Sequence, residues 1–216
     1  FFMKKWENNA KIGVVGNGFV GHAMTCLRPN VEVILWDSDP LKREPENLNF
    51  DSFVKQSLII FIAVPTPMRP NGSCDIGIVS SVVKKIKNID PSSHIIIRST
   101  VPPGTSDSLG VSFMPEFLTE RNWEEDFRNC KQWILGTKDE LTYKLTKHVF
   151  ALAHDNGNGS VVNPTVIQTN PREAELVKYV KNCFLATKVS FFNEIKSLCE
   201  KVDINYEEVR VLSCED

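Results

Sequence analysis

The sequence predicts an α/β fold: a Rossmann-like doubly wound parallel sheet followed by one long helix. Two observations lead to this prediction. Short apolar runs alternate with helix-like segments through the first half of the chain, which is the order expected of a sheet covered by helices on both faces. Residues 171–202 then contain no interior Gly or Pro. We therefore expect a Rossmann-like domain over residues 1–165, and the long helix with the start of a further part over residues 166–216.

The predicted strands are runs that are apolar on both faces. Such runs are typical of parallel strands buried between two layers of helices. Four of them are clear, and two shorter candidates follow: "KIGVV" (11–15), "VEVILW" (31–36), "SLIIFIAV" (57–64), "HIIIRS" (94–99), "VSFM" (111–114) and "QWILG" (132–136).

Helical periodicity appears between and after these runs. Residues 75–89 place apolar side chains on one helical face, and residues 139–153 do the same. Pro171 suits the first turn of the long helix, with Asn170 as its cap. That helix would extend roughly 48 Å. Its apolar residues predict burial against a second subunit or a further domain: Leu176, Val180, Phe184, Phe191, Phe192, Ile195 and Leu198.

Composition excludes several classes of function. The chain has 216 residues, 42% of them hydrophobic, and a formal net charge of -2. This charge favours neither nucleic acid nor an anionic membrane as a partner. No apolar run reaches the roughly 20 residues that span a bilayer. The six cysteines are scattered without metal-ligand spacing, which predicts free thiols, no metal site and a cytoplasmic protein.

A glycine-rich turn follows the first predicted strand. The stretch "GVVGNGFVGH" contains Gly16-x-Gly18-x-x-Gly21, and Phe19 and Val20 open the next helix. In a dinucleotide-binding turn the first glycine permits the bend and the second lets the backbone approach the diphosphate. The third lets helix and strand pack closely. The beginning of the helix then offers partial positive charge to the phosphates.

Asp37 closes the second predicted strand, about 20 residues after the turn, as in dinucleotide sites. Its carboxylate would accept hydrogen bonds from the adenosine ribose and would repel a 2′-phosphate. The sequence therefore favours NAD over NADP as cofactor. Lys42 and Arg43 are close enough in sequence to keep NADP open as an alternative.

Three later strands are each followed by a short polar motif, where ligands bind in this class of fold. "AVPTPMRPNGSCD" (63–75) is a rigid loop rich in proline, and "RSTVPPGTSD" (98–107) offers the Thr100 hydroxyl. "MPEFLTE" (114–120) contains Glu116 and Glu120. On the long helix, Lys178 and Asn182 are four residues apart and share a face.

These motifs, in this order, resemble the UDP-glucose/GDP-mannose dehydrogenase family of NAD-dependent nucleotide-sugar oxidases. The matching stretches are "KIGVVGNGFVGHAM", "VPTP", "RSTVPPGT", "MPEFLTERNWEEDF" and "EAELVKYVKNCFLATKVSFFNEI". The resemblance implies dimerisation through the long helix. It also implies catalytic residues Thr100, Glu116, Glu120, Lys178 and Asn182, and cofactor-binding residues Gly16, Gly18, Phe19, Val20, Gly21, Asp37, Val64, Pro65, Thr66 and Thr100.

The implied reaction oxidises a sugar C6 alcohol to an acid in two steps. Thr100 and Glu120 would surround a water that removes the hydroxyl proton, while Lys178 and Asn182 would stabilise the oxyanion. A cysteine would then capture the aldehyde, and Glu116 would assist hydrolysis of the resulting thioester. The substrate would be a nucleotide sugar of the UDP-glucose or GDP-mannose type.

The sequence departs from the family in one respect that bears on catalysis. The family's "GGxCxPKD"-like segment with its nucleophilic cysteine is not found, nor is the C-terminal domain that holds the nucleotide. We therefore expect incomplete catalysis from this chain. Two alternatives stay open: a catalytically incomplete NAD-binding or dimerisation module, and a β-hydroxyacid dehydrogenase. "VPTP" and "MPEFL" argue against the second.

Overall fold

The structure is a computed structural model that describes residues 10–28, 30–154 and 160–214. Its centre is one seven-stranded sheet with the order β2-β1-β3-β4-β5-β6-β7. The strands are β1 (Lys11–Val15), β2 (Glu32–Trp36), β3 (Ile59–Ile62), β4 (His94–Ile97), β5 (Ser112–Phe113), β6 (Trp133–Gly136) and β7 (Val166–Thr169). The six predicted strands are confirmed, and β7 is an addition.

Pairing in the sheet is parallel except between β5 and β6, which run antiparallel through the single pair Phe113 and Gly136. The predicted Rossmann-like doubly wound parallel sheet is confirmed, with this pair as its one antiparallel pairing among the described residues. Strand β5 is only two residues long, and its contribution to the sheet is correspondingly small.

Eight α-helices accompany the sheet in the described part of the chain. They are α1 (Phe19–His22), α2 (Phe50–Gln56), α3 (Gly77–Ile89), α4 (Thr105–Leu109), α5 (Trp123–Arg128), α6 (Glu140–His154), α7 (Pro171–Lys201) and α8 (Tyr206–Ser213). Helix α1 continues as a 3₁₀-helix over Ala23–Leu27, and a second 3₁₀-helix covers Pro40–Lys42. The predicted long helix is confirmed as α7.

The core has two halves, one on each face of the sheet. Alternate residues of β3 belong to different halves: Ile59 and Phe61 pack with one, and Ile60 and Ile62 with the other. This alternation follows from the two-residue period of a strand. It confirms that the sheet is covered on both faces, as a doubly wound fold requires.

The chain divides into two compact units, Phe1–Leu176 and Val177–Asp216. The first unit therefore includes β7 and the first turn of α7, which the sequence-based division at residue 165 assigned to the second part. The first turn of α7 packs closely against β6, because a Cβ added to Gly136 would lie 2.7 Å from the Ala174 Cβ. Among the described residues, no helix is both long and apolar enough to cross a membrane.

Candidate functional site

A cleft of about 570 Å³ lies beside the glycine turn, at the carboxyl ends of β1, β2 and β3. The strand order reverses at β1, because β2 lies on one side of it and β3 on the other. Ligands bind at such a reversal in open α/β sheets. The cleft is lined by Val15, Gly16, Gly18, Phe19, Val20, Trp36, Asp37, Ser38, Lys42, Ala63, Val64, Pro65, Ile78 and Val82.

Gly16 makes the bend that brings the chain out of β1. Its φ is +95°, a conformation that other residues rarely adopt, and an added Cβ would lie 2.4 Å from the Ala63 carbonyl oxygen. Its N–H donates to the Trp36 carbonyl at 2.9 Å. The glycine turn is thus fixed between β2 and the end of β3.

Gly18 and Gly21 have different surroundings. A Cβ on Gly21 would lie 1.8 Å from the Gly16 carbonyl oxygen, whereas a Cβ on Gly18 would meet no atom within 4 Å. Packing therefore requires glycine at position 21, while position 18 faces open space. Gly18 is also the N-cap of α1 and caps it with no side chain. This leaves room and backbone N–H groups for a diphosphate, so the residues present fit a dinucleotide.

Asp37 lines the cleft and is bound to the glycine turn. Its carboxylate accepts hydrogen bonds from the Asn17 N–H at 2.7 Å and the Asp39 N–H at 2.9 Å. Burial acts to raise the pKa of Asp37, but these hydrogen bonds and the Ser38 hydroxyl outweigh it and hold the pKa below its usual value. The group is therefore an anion at neutral pH, as a ribose acceptor should be.

The two cations near Asp37 have distinct positions. Arg43 donates through Nε to the Asp37 carbonyl at 2.8 Å, and its guanidinium lies 5.0 Å from the centre of the Trp36 ring. Lys42 lines the cleft itself. Trp36 also lines the cleft, and its buried indole N–H has no hydrogen-bond partner within the described ranges.

Seven of the ten predicted cofactor residues line the cleft: Gly16, Gly18, Phe19, Val20, Asp37, Val64 and Pro65. Gly21 lies behind the turn, and Thr66 and Thr100 lie outside the lining. Apart from Lys42, sequence reasoning missed six lining residues: Val15, Trp36, Ser38, Ala63, Ile78 and Val82. The first four each adjoin a predicted residue in sequence and could have been found from that position, but Ile78 and Val82 needed the fold.

Thr66 and Thr100 join two of the polar loops. The Thr66 hydroxyl donates to the Thr100 carbonyl at 2.8 Å, and the Cys74 thiol lies 3.7 Å from the same oxygen. Thr66 directly follows Pro65 of the cleft. The loops after β3 and β4 therefore meet at the same edge of the sheet.

Glu116 is buried, and its carboxylate accepts the Leu118 N–H at 2.9 Å. Arg98, at the end of the neighbouring strand β4, is 1% exposed, and its Nε and Nη1 have no partner in the described residues. Burial lowers the pKa of Arg98, and the Glu116 charge opposes this shift. Arg98 was missed, although a cation that interrupts "HIIIRS" is visible in the sequence. Glu120 is exposed.

Lys178 and Asn182 lie in the second unit, on α7. Lys178 is buried and Asn182 is exposed. At about 100° per residue they share one face of the helix. The opposite face carries an apolar stripe whose five residues are each more than half exposed: Leu176, Val180, Phe184, Phe191 and Leu198.

In the residues that the structure describes, no three His, Cys, Asp or Glu side chains gather to hold an ion. All six cysteines are free thiols.

The fold and the cleft define a dinucleotide-binding protein of the Rossmann-like class. The profile of the UDP-glucose/GDP-mannose dehydrogenase family, NAD binding domain, matches residues 40–154, and that of the family's central domain matches residues 172–216. The chain belongs to the UDP-glucose/GDP-mannose dehydrogenase family, as the motifs predicted, and the cofactor of its first domain is NAD.

Curated relatives carry the same family name. UDP-glucose 6-dehydrogenase YwqF of Bacillus subtilis is 29% identical over 92% of this chain and 53% of its own length. UDP-glucose 6-dehydrogenase of Rickettsia bellii is 32% identical over 85% of this chain and 48% of its own length. The chain spans about half the length of these relatives.

Solved structures confirm the fold. A UDP-glucose dehydrogenase from Pyrobaculum islandicum covers 98% of this chain and 58% of its own, with 25% identity and a TM-score of 0.80. A GDP-mannose dehydrogenase from Pseudomonas aeruginosa, in a ternary complex, covers 95% of this chain and 56% of its own, with 24% identity and a TM-score of 0.79.

Proposed function

We propose that this chain acts in an NAD-dependent nucleotide-sugar 6-dehydrogenase of the UDP-glucose or GDP-mannose type, which oxidises the sugar C6 alcohol to an acid. The observation that carries this proposal is the cleft with its glycine turn and ionised Asp37, next to the Thr66–Thr100 contact. The names of the relatives support the substrate class. Because the chain spans about half of them, the complete activity belongs to the proposal.

When bound, NAD would supply the acceptor for hydride. The chain's own residues would hold it: the turn at Gly16 and Gly18 would receive the diphosphate, and Asp37 would bind the adenosine ribose hydroxyls. Lys42, at the cleft wall, would screen the phosphate charge. Arg43 and Trp36, which contact each other, would form the wall of the cleft beside the adenosine part of NAD.

The residues proposed for proton transfer are Thr100 and Glu120, around a water that takes the C6 hydroxyl proton. Glu116, whose carboxylate is buried, would assist the later hydrolysis. Lys178 and Asn182 would stabilise the oxyanion, a role that suits an ammonium and an amide donor. Their assignment rests on the motif and on the helix face that they share.

The capture of the aldehyde needs a cysteine nucleophile, and no cysteine of this chain lies in a "GGxCxPKD"-like segment. We therefore assign to these 216 residues cofactor binding, the groups for the first oxidation and, in Glu116, a group for the later hydrolysis.

A second copy of the chain is the proposed partner. The exposed apolar stripe of α7 supports it, because large apolar patches on a surface mark interaction sites. The free state of the six cysteines supports a cytoplasmic location, where thiols stay reduced.

Calorimetric titration with NAD tests the cofactor site, followed by absorbance measurement of NADH with UDP-glucose and with GDP-mannose. We expect NAD to bind, and we expect neither sugar to be oxidised completely to its acid, because the segment with the nucleophilic cysteine is not in this sequence. Absence of NAD binding would refute the proposal, and formation of two NADH per molecule of either sugar would refute the expectation of incomplete catalysis.

A further inference from the structure

Glu175, in the first turn of α7, is a carboxylate with no exposed surface. Its Oε1 accepts the Ser106 N–H at 2.8 Å, and its Oε2 accepts the Gly104 N–H. Burial of a carboxylate is unfavourable unless donors replace the lost water. These two charge-assisted hydrogen bonds are of the strong kind, and they connect residues about 70 positions apart.

The two N–H groups belong to the turn that begins α4. Gly104 is the N-cap of that helix, with φ +98° and no side-chain cap. The first N–H groups of a helix have no acceptor within it, so Glu175 supplies from another element the acceptor that a capping side chain would give. The turn is closed on its other side by the Thr105 hydroxyl, which donates to the Pro102 carbonyl at 2.6 Å.

This turn immediately follows Thr100. The Thr100 carbonyl is held in turn by the Thr66 hydroxyl at 2.8 Å, and Thr66 adjoins Pro65 at the wall of the cleft. A continuous set of contacts therefore runs from the first turn of α7, through the turn at Gly104, to the cofactor cleft.

Two contacts of neighbouring residues in the first turn of α7 differ in kind from that of Glu175. Arg172 pairs with Asp107 at 3.3 Å, but its side chain is 70% exposed, and exposed ion pairs add little. Ala174 packs against Gly136, and this van der Waals contact does not have the preferred geometry of a hydrogen bond. Glu175 is the buried, directional link.

We propose that Glu175 is a positioning residue: its carboxylate fixes the turn at Gly104, and through it Thr100, to the first turn of α7. This inference rests on the proposed function, in which Thr100 serves the cofactor and the proton transfer. It assigns to Glu175 no contact with substrate or cofactor.

The experiment compares Glu175→Ala and Glu175→Gln with wild type and with Glu173→Gln. Glu173 is the matched control, because it lies in the same turn but is exposed and accepts from Thr169 and Asn170. Amide hydrogen exchange at Gly104 and Ser106, by NMR, reports the hydrogen bonds. Calorimetry with NAD reports the cleft, and added acetate tests rescue of Glu175→Ala.

We expect exchange at Gly104 and Ser106 to accelerate about tenfold in Glu175→Ala, with a several-fold rise in the NAD dissociation constant. Glu175→Gln, which keeps the shape and one acceptor oxygen, should fall between that variant and wild type, and acetate should partly restore Glu175→Ala. Unchanged protection, or lost protection with unchanged NAD binding, would overturn the inference. If wild type binds no NAD, the proposed function fails, whereas amide protection still decides whether Glu175 holds the turn.

Discussion

At the residue scale, the two glycines of the turn are required for different reasons. Gly16→Ala would force a Cβ into the Ala63 carbonyl at a φ of +95°. Gly18→Ala would place a Cβ in open space, at φ -82° and ψ -177°, which any residue adopts. The first glycine therefore serves the fold, whereas the fold leaves position 18 open, and we expect the glycine there to serve the ligand.

We expect Gly16→Ala to lower the free energy of unfolding by about 2 kcal/mol, measured by urea denaturation. Gly18→Ala should leave it within about 0.5 kcal/mol and raise the NAD dissociation constant about tenfold or more, because the methyl group occupies the diphosphate position. If Gly18→Ala bound NAD as wild type does, the placement of the diphosphate would be wrong.

Asp37→Asn tests the proposed ribose acceptor. The amide keeps the shape but loses the charge, so we expect the NAD dissociation constant to rise about tenfold. Asp39→Asn is the control, because Asp39 caps the neighbouring 3₁₀-helix by accepting the Leu41 N–H at 3.0 Å and does not line the cleft. Equal losses in both variants would indicate an effect of the loop alone.

At the element scale, helix α6 depends on a single acidic cap. Asp139 accepts the Leu141 N–H at 3.0 Å and the Thr142 hydroxyl at 2.6 Å, and His94 lies 3.2 Å away. Burial acts to raise the pKa of Asp139, but the hydrogen bonds from Thr142 and Leu141 outweigh it, so the pKa lies below 3.8. The folded state therefore releases this proton more readily than the unfolded chain does.

A pH prediction follows from this cap. Asp139→Ala should lower the free energy of unfolding by about 1 kcal/mol at pH 7. Asp139→Asn, which also caps well, should lower it by roughly 0.3 kcal/mol. The contribution of the ionised group is complete above pH 3.8 and is lost as pH falls through the lowered pKa. Urea unfolding from pH 7 to pH 3 should therefore bring wild type and Asp139→Asn together. A difference that grew in acid would contradict the cap.

Elements differ in how well the sequence predicts them. The buried strands are evident because each is an almost continuous apolar run, and α7 is evident because residues 171–202 contain no interior Gly or Pro. Strand β7 lies at the edge of the sheet, where Ile167 and Gln168 are exposed, so its sequence lacks the apolar run of a central strand. Helix α2 spans only seven residues. The glycine turn and Asp37 are local signals, but Glu175 owes its proposed role to Gly104 and Ser106, which are distant in sequence.

At the scale of the whole molecule, the apolar stripe and the proposed catalytic pair lie on opposite faces of α7. At about 100° per residue the stripe lies opposite Lys178 and Asn182, whereas Leu185 and Val189, also more than half exposed, share the face of that pair. A homodimer that uses the stripe would leave Lys178 and Asn182 available. Dimerisation and catalysis can thus be tested by separate substitutions on one helix.

Phe184, 65% exposed in the stripe, is the residue to change. If the stripe joins two copies, Phe184→Asp should convert a dimer into a monomer, because a desolvated charge in an apolar interface is strongly unfavourable. Asn193→Asp adds the same charge to α7 away from the stripe and should leave the dimer intact. Sedimentation velocity measures the mass, circular dichroism checks that the helix persists, and NAD affinity should not change, because the cleft lies in the first unit. A monomeric wild type, or a dimer that survives Phe184→Asp, would show that the stripe serves another partner.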